Sequence, residues 1–205
     1  MESYTTIRKA ASFEYEDRKS VFIGFSAPVS TEKDALDFLA YIKKKHSDAN
    51  HHVYAYVLRE NSIMRFSDDR EPQGTAGMPV LDAIRKNGCT DVIIVVIRYF
   101  GGTLLGTGGL VRAYGGAAVG ALREGEIITY DIYRSYEITL SYSEYQKVIP
   151  MLSEQGFRTE DTKFSDSVLI IGKAKKSDAD AFEKKISEIT YGRVKLEIKG
   201  ESFDF

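Results

Sequence analysis

The stretch Asp91–Gly116, "DVIIVVIRYFGGTLLGTGGLVRAYGG", decides how this chain folds. Val92 to Ile97 is apolar without alternation. A strand with one wet face alternates, so an unbroken run reads as a strand covered on both faces, and therefore a central one. The next segment has little side-chain bulk: seven of the chain's 17 glycines lie between Ile97 and Gly116. From Leu110, "LVRAYGGAAVGALREG" has helical spacing, with Leu110, Tyr114, Ala117 and Ala121 on one face. Strand, glycine-rich loop and helix follow in order.

Upstream, "SFEYE" and "SVFIGFSAPV" read as strands joined by the polar turn "DRK". "TEKDALDFLAYIKKKH" is a helix. Thr31 and Asp34 form its capping box, Ala35, Phe38, Leu39 and Ile42 its apolar face, and Lys43 to His46 its cationic end. "HVYAYVLR" and "SIMRFS" make a hairpin around Glu60 and Asn61. "DDREPQGTAG" is a loop, and "MPVLDAIRKNG" a helix with Pro79 in its first turn and Gly88 past its end. "EIITYDIYR" closes the first domain, and the junction near Asp131 to Tyr136 is short.

Downstream, "YEITLSY" is a strand and "SEYQKVIPMLSEQG" a helix, with Ser143 and Gln146 as its capping box. Two strands, "FRTEDTKFS" and "SVLIIGKAK", precede the helix "SDADAFEKKISEITYG" and the strand "RVKLEIK". The order βαββαβ is that of a ferredoxin-like domain. The domains expected are 1–133 and 134–205.

A formal charge of −2, with neither half basic, argues against bulk salt-driven nucleic-acid binding and leaves only a local patch for it. No apolar run approaches the roughly 20 residues of a membrane-spanning helix. The N-terminus has no apolar leader core and reads as mature sequence. The single cysteine, Cys89, fits a reducing cytosol, so a cytoplasmic protein is expected.

The glycine-rich stretch invites a phosphate motif. Gly101 and Gly106 have the Walker A spacing, but Thr107 and Gly108 stand where lysine and a hydroxyl residue belong. Gly106 and Gly108 begin a dinucleotide fingerprint that fails at Val111. What remains is a helix N-terminus reached through Gly101, Gly102, Gly106, Gly108 and Gly109, where free amides favour an anion, with Arg98 and Arg112 able to add directional hydrogen bonds. Gly115, Gly116 and Gly120 lie inside the helix and suit close packing on the sheet. Asp68, Asp69 and Glu71 could hold Mg²⁺, or they could clamp Arg98 or Arg112. His46, His51 and His52 lack a ligand set for zinc; a histidine lining the same cleft is the better expectation. No nucleophile–base pair stands out, and the residues call for no cofactor.

"DDREPQGTAGMPVL" followed by "VVIRYFGGTLLGTGGLVRAYGGA", with "HHVYAYVL" upstream, resembles the YigZ/IMPACT family over essentially the whole chain. The resemblance implies an α+β fold in two domains. The first is similar to the ribosomal-protein and elongation-factor type of α+β domain, with a left-handed crossover; the second is ferredoxin-like. Eukaryotic relatives inhibit activation of a starvation-sensing kinase of translation initiation, and nucleic-acid binding is proposed for bacterial ones. Two departures stand out: Arg70 replaces a frequent glycine, and Leu104 a frequent lysine.

The expectation is a non-enzymatic binding or regulatory protein linked to translation, whose partner is RNA, a ribosome-associated component or a regulatory protein. The cleft would run from Asp68 through Gly74 to Gly77 and from Arg98 to Arg112. Tyr99, Phe100 and Tyr114 are candidates to stack on bases, although Phe100 reads better as core. The alternative is an enzyme acting on a small phosphorylated or acidic metabolite, with Arg98 stabilising charge and Asp69 or Glu71 as base or metal holder.

Overall fold

The computed structural model describes residues 2–205 and divides into two units, Tyr4–Thr129 and Tyr130–Phe205, the latter with Glu2 and Ser3. The first unit runs β1 (Tyr4–Ile7), β2 (Ala11–Asp17), β3 (Ser20–Pro28), α1 (Glu32–Lys45), β4 (His51–Leu58), β5 (Ile63–Ser67), α2 (Gly77–Lys86), β6 (Val92–Tyr99) and α3 (Gly106–Glu124). Its sheet has the order β2-β3-β6-β4-β5. β6 is the middle strand, and every residue from Val92 to Ile97 is fully buried. Strand alternation sends Val92, Ile94 and Val96 into a core shared with α2 and α3, and Ile93, Val95 and Ile97 into one shared with α1. This is why the run in the sequence does not alternate.

The same topology fixes a chirality. β3 and β4 are both antiparallel to β6, hence parallel to each other, and α1 joins them. β5 and β6 are both antiparallel to β4, and α2 joins them. The second crossover steps back across the sheet on strands of opposite sense, so two helices on one face would give both crossovers the same hand. They lie on opposite faces: Ala35, Leu39 and Ile42 of α1 pack in one core, and Val80, Leu81 and Ile84 of α2 in the other. One of the two crossovers is therefore left-handed, against the usual preference.

Glycine lets α3 lie close to the sheet. A Cβ on Gly24 of β3 would come 2.4 Å from the Ala117 carbonyl oxygen, and one on Gly120 would come 2.0 Å from the Phe13 ring. Gly116 faces Tyr15 at 3.2 Å, whereas Gly115 has only Pro79 at 3.9 Å. The packing reading of the helical glycines thus holds for Gly116 and Gly120 but not for Gly115.

β7 (Ile127–Leu140) begins in the first unit and continues into the second, which holds α4 (Tyr142–Glu154), β8 (Arg158–Phe164), β9 (Val168–Lys175), α5 (Ala179–Thr190) and β10 (Lys195–Asp204). β1 joins this sheet by pairing with β7, and the other four strands run β10-β7-β9-β8, antiparallel throughout, which is the ferredoxin-like arrangement. Tyr136, Ile138 and Leu140 pack against Val148, Leu152, Phe182 and Ile186 of its helices.

Four local expectations are corrected. The strands expected on either side of Ser135 are one strand, β7, because no glycine or proline interrupts Ile127 to Leu140. The capping box of α4 is Ser141 with Glu144, not Ser143 with Gln146. α3 begins four residues earlier than expected and absorbs Gly106, Gly108 and Gly109. The short strand β1 was not anticipated; it is tied to the far end of its unit by Thr5 Oγ1 to Thr129 Oγ1 at 2.9 Å and by the Arg8 amide to the Gly125 carbonyl at 3.0 Å.

Gly24 and Gly115 should respond to alanine in opposite directions. Gly24→Ala meets backbone that cannot step aside and is expected to cost about 3 kcal/mol. Gly115→Ala gains helix propensity in open space and should add roughly 0.5–1 kcal/mol. Urea denaturation of both variants measures the pair.

Candidate functional site

The site is built on the register of the sheet. His51 of β4 pairs with Arg98 of β6, on the face that carries α2 and α3. The loop 68–76 closes over that face. Its first carboxylate, Asp68, accepts the amides of Gly74 at 2.9 Å, Ala76 at 3.1 Å and Gly77 at 2.8 Å. Asp68 thereby supplies the N-terminal cap that Ala76 cannot give α2. Asp69 and Arg70 follow with φ of 41° and 70°, both left-handed. The Asp69 carboxylate accepts the His52 amide at 2.6 Å, and its carbonyl meets His51 Nδ1 at 2.9 Å. A carbonyl only accepts, so Nδ1 carries the proton in this contact.

Glu71 comes next, and one of its oxygens organises the floor. Oε1 accepts Arg98 Nη1 at 2.7 Å and the Tyr114 hydroxyl at 2.7 Å, with His51 Nε2 at 3.7 Å. The Glu71 and Arg98 side chains are 5% and 7% exposed. A buried ion pair survives when added hydrogen bonds offset its desolvation, and Tyr114 provides one. Burial first, and then the Glu71 charge, hold the Tyr114 hydroxyl protonated far above the usual tyrosine range. Arg98 Nε–H, also buried, has no acceptor. The Phe22 and Phe100 rings lie 5.4 and 5.5 Å from the guanidinium carbon.

Above this floor is a cleft of about 500 Å³. His51, Glu71 and Arg98 form its polar side. Pro72, Phe100, Leu104, Leu105 and Leu110 form its apolar side, and Gly106 and Thr107 bring in the N-terminus of α3. The N-cap of α3 is Leu105, which offers no side-chain cap, so its first-turn amides lack that partner.

Of the residues expected here, Glu71, Arg98 and Gly106 line the cleft. Asp68, Asp69 and Gly74 shape the loop behind it. Gly108 and Gly109 are in the first turn of α3, and Gly109 packs on Leu105. Gly101 is pressed against the Lys19 carbonyl, and Gly102 turns the chain with φ of 83°. Arg112 is exposed, and its Nη1 lies 3.6 Å from where a Gly108 Cβ would be.

Tyr99 does not join them. Strand alternation turns it to the α1 face, where its hydroxyl bonds Asp48 at 3.1 Å and meets His46 Nδ1 at 3.2 Å. Tyr114 is fully buried and cannot stack on a base, whereas Phe100, expected in the core, is 47% exposed. The Arg98 charge is already offset, because Glu71 holds its Nη1. Of the two roles offered to the acids, clamping Arg98 is the one Glu71 takes. The carboxylates of Asp68 and Asp69 are engaged by backbone amides, and among the described residues no three His, Cys, Asp or Glu side chains converge as a metal site. Asn50 was not expected in the cleft, and Thr107 and Leu104, inside the expected Arg98–Arg112 stretch, were not named among its binding residues. Their only sequence signal was adjacency to residues that were.

Glu71→Gln leaves the Arg98 charge buried and should lower stability by about 3–5 kcal/mol. Tyr114→Phe should cost about 1–3 kcal/mol at neutral pH. Because the folded state keeps the Tyr114 proton that the unfolded chain releases above about pH 10, stability falls as pH rises past that point, and Tyr114→Phe should flatten the fall. Denaturant titrations between pH 7 and 11 read both effects. Arg70→Gly removes a left-handed backbone penalty from an exposed position and should stabilise by about 1 kcal/mol in the same assay.

The model of the "Impact N-terminal domain" matches residues 18–122, and that of a "Domain of unknown function (DUF1949)" matches residues 138–193. The chain is 36% identical over 194 residues to the IMPACT family member YvyE of Bacillus subtilis, covering 94% of this chain and 89% of that one. It is 31% identical over 199 residues to the IMPACT family member YigZ of Escherichia coli, covering 96% and 98%. Protein IMPACT of Bos taurus is 37% identical over 94 residues, 44% of this chain and 30% of its own length. A crystal structure described as that of an hypothetical protein superposes with a TM-score of 0.60 at 31% identity, covering 96% of this chain and 97% of that one. With the first family model spanning the whole cleft and near full-length likeness to two bacterial members, the chain belongs to the IMPACT family.

Proposed function

We propose that this chain is a non-enzymatic binding and regulatory protein linked to translation, and that a segment of a translation-associated protein seats in the cleft between loop 68–76 and the start of α3. The translation link is drawn from the family resemblance. The choice of protein over RNA rests on one observation. The cation at the cleft floor is already neutralised by Glu71, while the rim is apolar and open, with Leu104 83% and Phe100 47% exposed. A groove for a phosphate backbone needs unspent cations. This chain has a net charge of −2 and a pI near 6.0. The enzyme reading has less to draw on, because Asp69 is bound to the His52 amide and Glu71 is shared between Arg98 and Tyr114.

Sucrose-gradient sedimentation of native-host lysate tests the proposal. Wild type should travel with ribosomal particles and their factors at physiological salt. Leu104→Glu and Phe100→Ser, both at exposed positions, should cut that fraction about tenfold, as loss of a central apolar anchor does. Equal sedimentation of the variants sinks the cleft as the interface. Binding to naked ribosomal RNA with a steep salt dependence would mean RNA is the partner.

A further inference from the structure

The polar groups left unmatched in the cleft are unequal in kind. Arg98 Nε–H is buried and has no acceptor, in a side chain that is 7% exposed and lines the cleft. The first-turn amides of α3 have no side-chain cap and carry the positive end of the helix dipole. Arg112 stands over that same turn with its guanidinium in no ion pair among the described residues, its Nη1 3.6 Å from the position of a Gly108 Cβ. Each of these is a donor. The carboxylate nearby, Glu71, accepts from Arg98 Nη1 and Tyr114 through one oxygen, so it offsets the Arg98 charge and leaves Arg98 Nε–H and the α3 amides as unmatched donors. Phe100 and Leu104 form the exposed apolar margin beside it.

We propose that the cleft receives the side-chain carboxylate of an acidic residue flanked by apolar residues on the partner segment. This rests on the reading of the cleft as a protein-binding site. The carboxylate accepts from the α3 first turn and from Arg98, with Arg112 adding charge complementarity from outside. The flanking apolar side chains cover Phe100 and Leu104. A volume of about 500 Å³ suits a few side chains. A polyanion is disfavoured because Glu71 already offsets the Arg98 charge and the margin of the cleft is apolar.

Nuclear magnetic resonance of the ¹⁵N-labelled full chain tests this with blocked peptides of sequence Ala-Leu-X-Leu-Ala, where X is Glu, Gln or Lys, and with hexanoate as a free acid. The Glu peptide should shift the amides of Thr107 and Gly108 and the Arg98 Nε–H signal. It should bind at least about tenfold tighter than the Gln peptide, with the Lys peptide weaker still. Thr107→Asp puts a carboxylate at the exposed first turn, where the helix dipole favours it, so the fold is retained and Glu-peptide affinity should fall about tenfold. Equal binding of the Glu and Gln peptides, no binding of any peptide, or unchanged affinity in Thr107→Asp overturns the proposal. Tighter binding of hexanoate than of the Glu peptide also overturns it, in favour of a small acidic ligand. If Leu104→Glu abolishes ribosomal sedimentation while the Glu and Gln peptides tie, the carboxylate is wrong and the translation link stands. If the Glu peptide binds as expected and wild type does not sediment with ribosomes, the reverse holds.

Discussion

One carboxylate oxygen, Glu71 Oε1, holds together three segments that the chain presents far apart. It joins the loop after β5 to the end of β6 through Arg98 and to the middle of α3 through Tyr114. The arrangement is costly to assemble, since an isolated buried charge is disfavoured by several kcal/mol and each partner is needed to offset the desolvation of the others. The loop, the strand end and the helix therefore hold their positions together. Asp68, three residues earlier, fastens the same loop to the start of α2, so the wall of the cleft is pinned at both ends.

The floor can form because α3 comes down far enough for Tyr114 to reach Glu71. That depth is permitted by missing side chains on both partners: Gly24 on the strand beneath, Gly116 and Gly120 on the helix itself. Glycine inside a helix costs roughly 1 kcal/mol relative to alanine. Here the cost is offset by the contact of α3 with β2 and β3, and the apolar faces brought together form the larger core of the first unit.

Much of this was legible in the residues, for reasons of range. The capping box of α1 is a contact across three positions, Thr31 to Asp34, and was readable. The box of α4 was misplaced because Ser141–Glu144 and Ser143–Gln146 are overlapping frames of equal pattern, and only the path of the chain out of β7 separates them. The central strand was plain because its composition is forced by burial on both faces. Glu71 clamping Arg98 was one of two options offered, because a pattern of acids does not say which cation lies across from it. Tyr99 and Phe100 were misjudged together. Adjacency in sequence suggested one cleft, but alternation turns Tyr99 away to the other face, and Phe100, just past the end of β6, stays at the opening.

The tie between the β1 region and the segment that follows α3 matters when the chain is made. Thr5 waits for Thr129, and the Arg8 amide for Gly125, so the first unit cannot complete itself until more than a hundred residues have been synthesised. Contacts of such sequence separation form late, since loop closure must be met before they contribute. Until Thr90, whose amide bonds the Thr5 carbonyl, has been made, β1 is an unpaired edge, short enough at four residues to present little template for a wrong partner. A strand too short to be noticed in the sequence is thus the latch that the unit engages last.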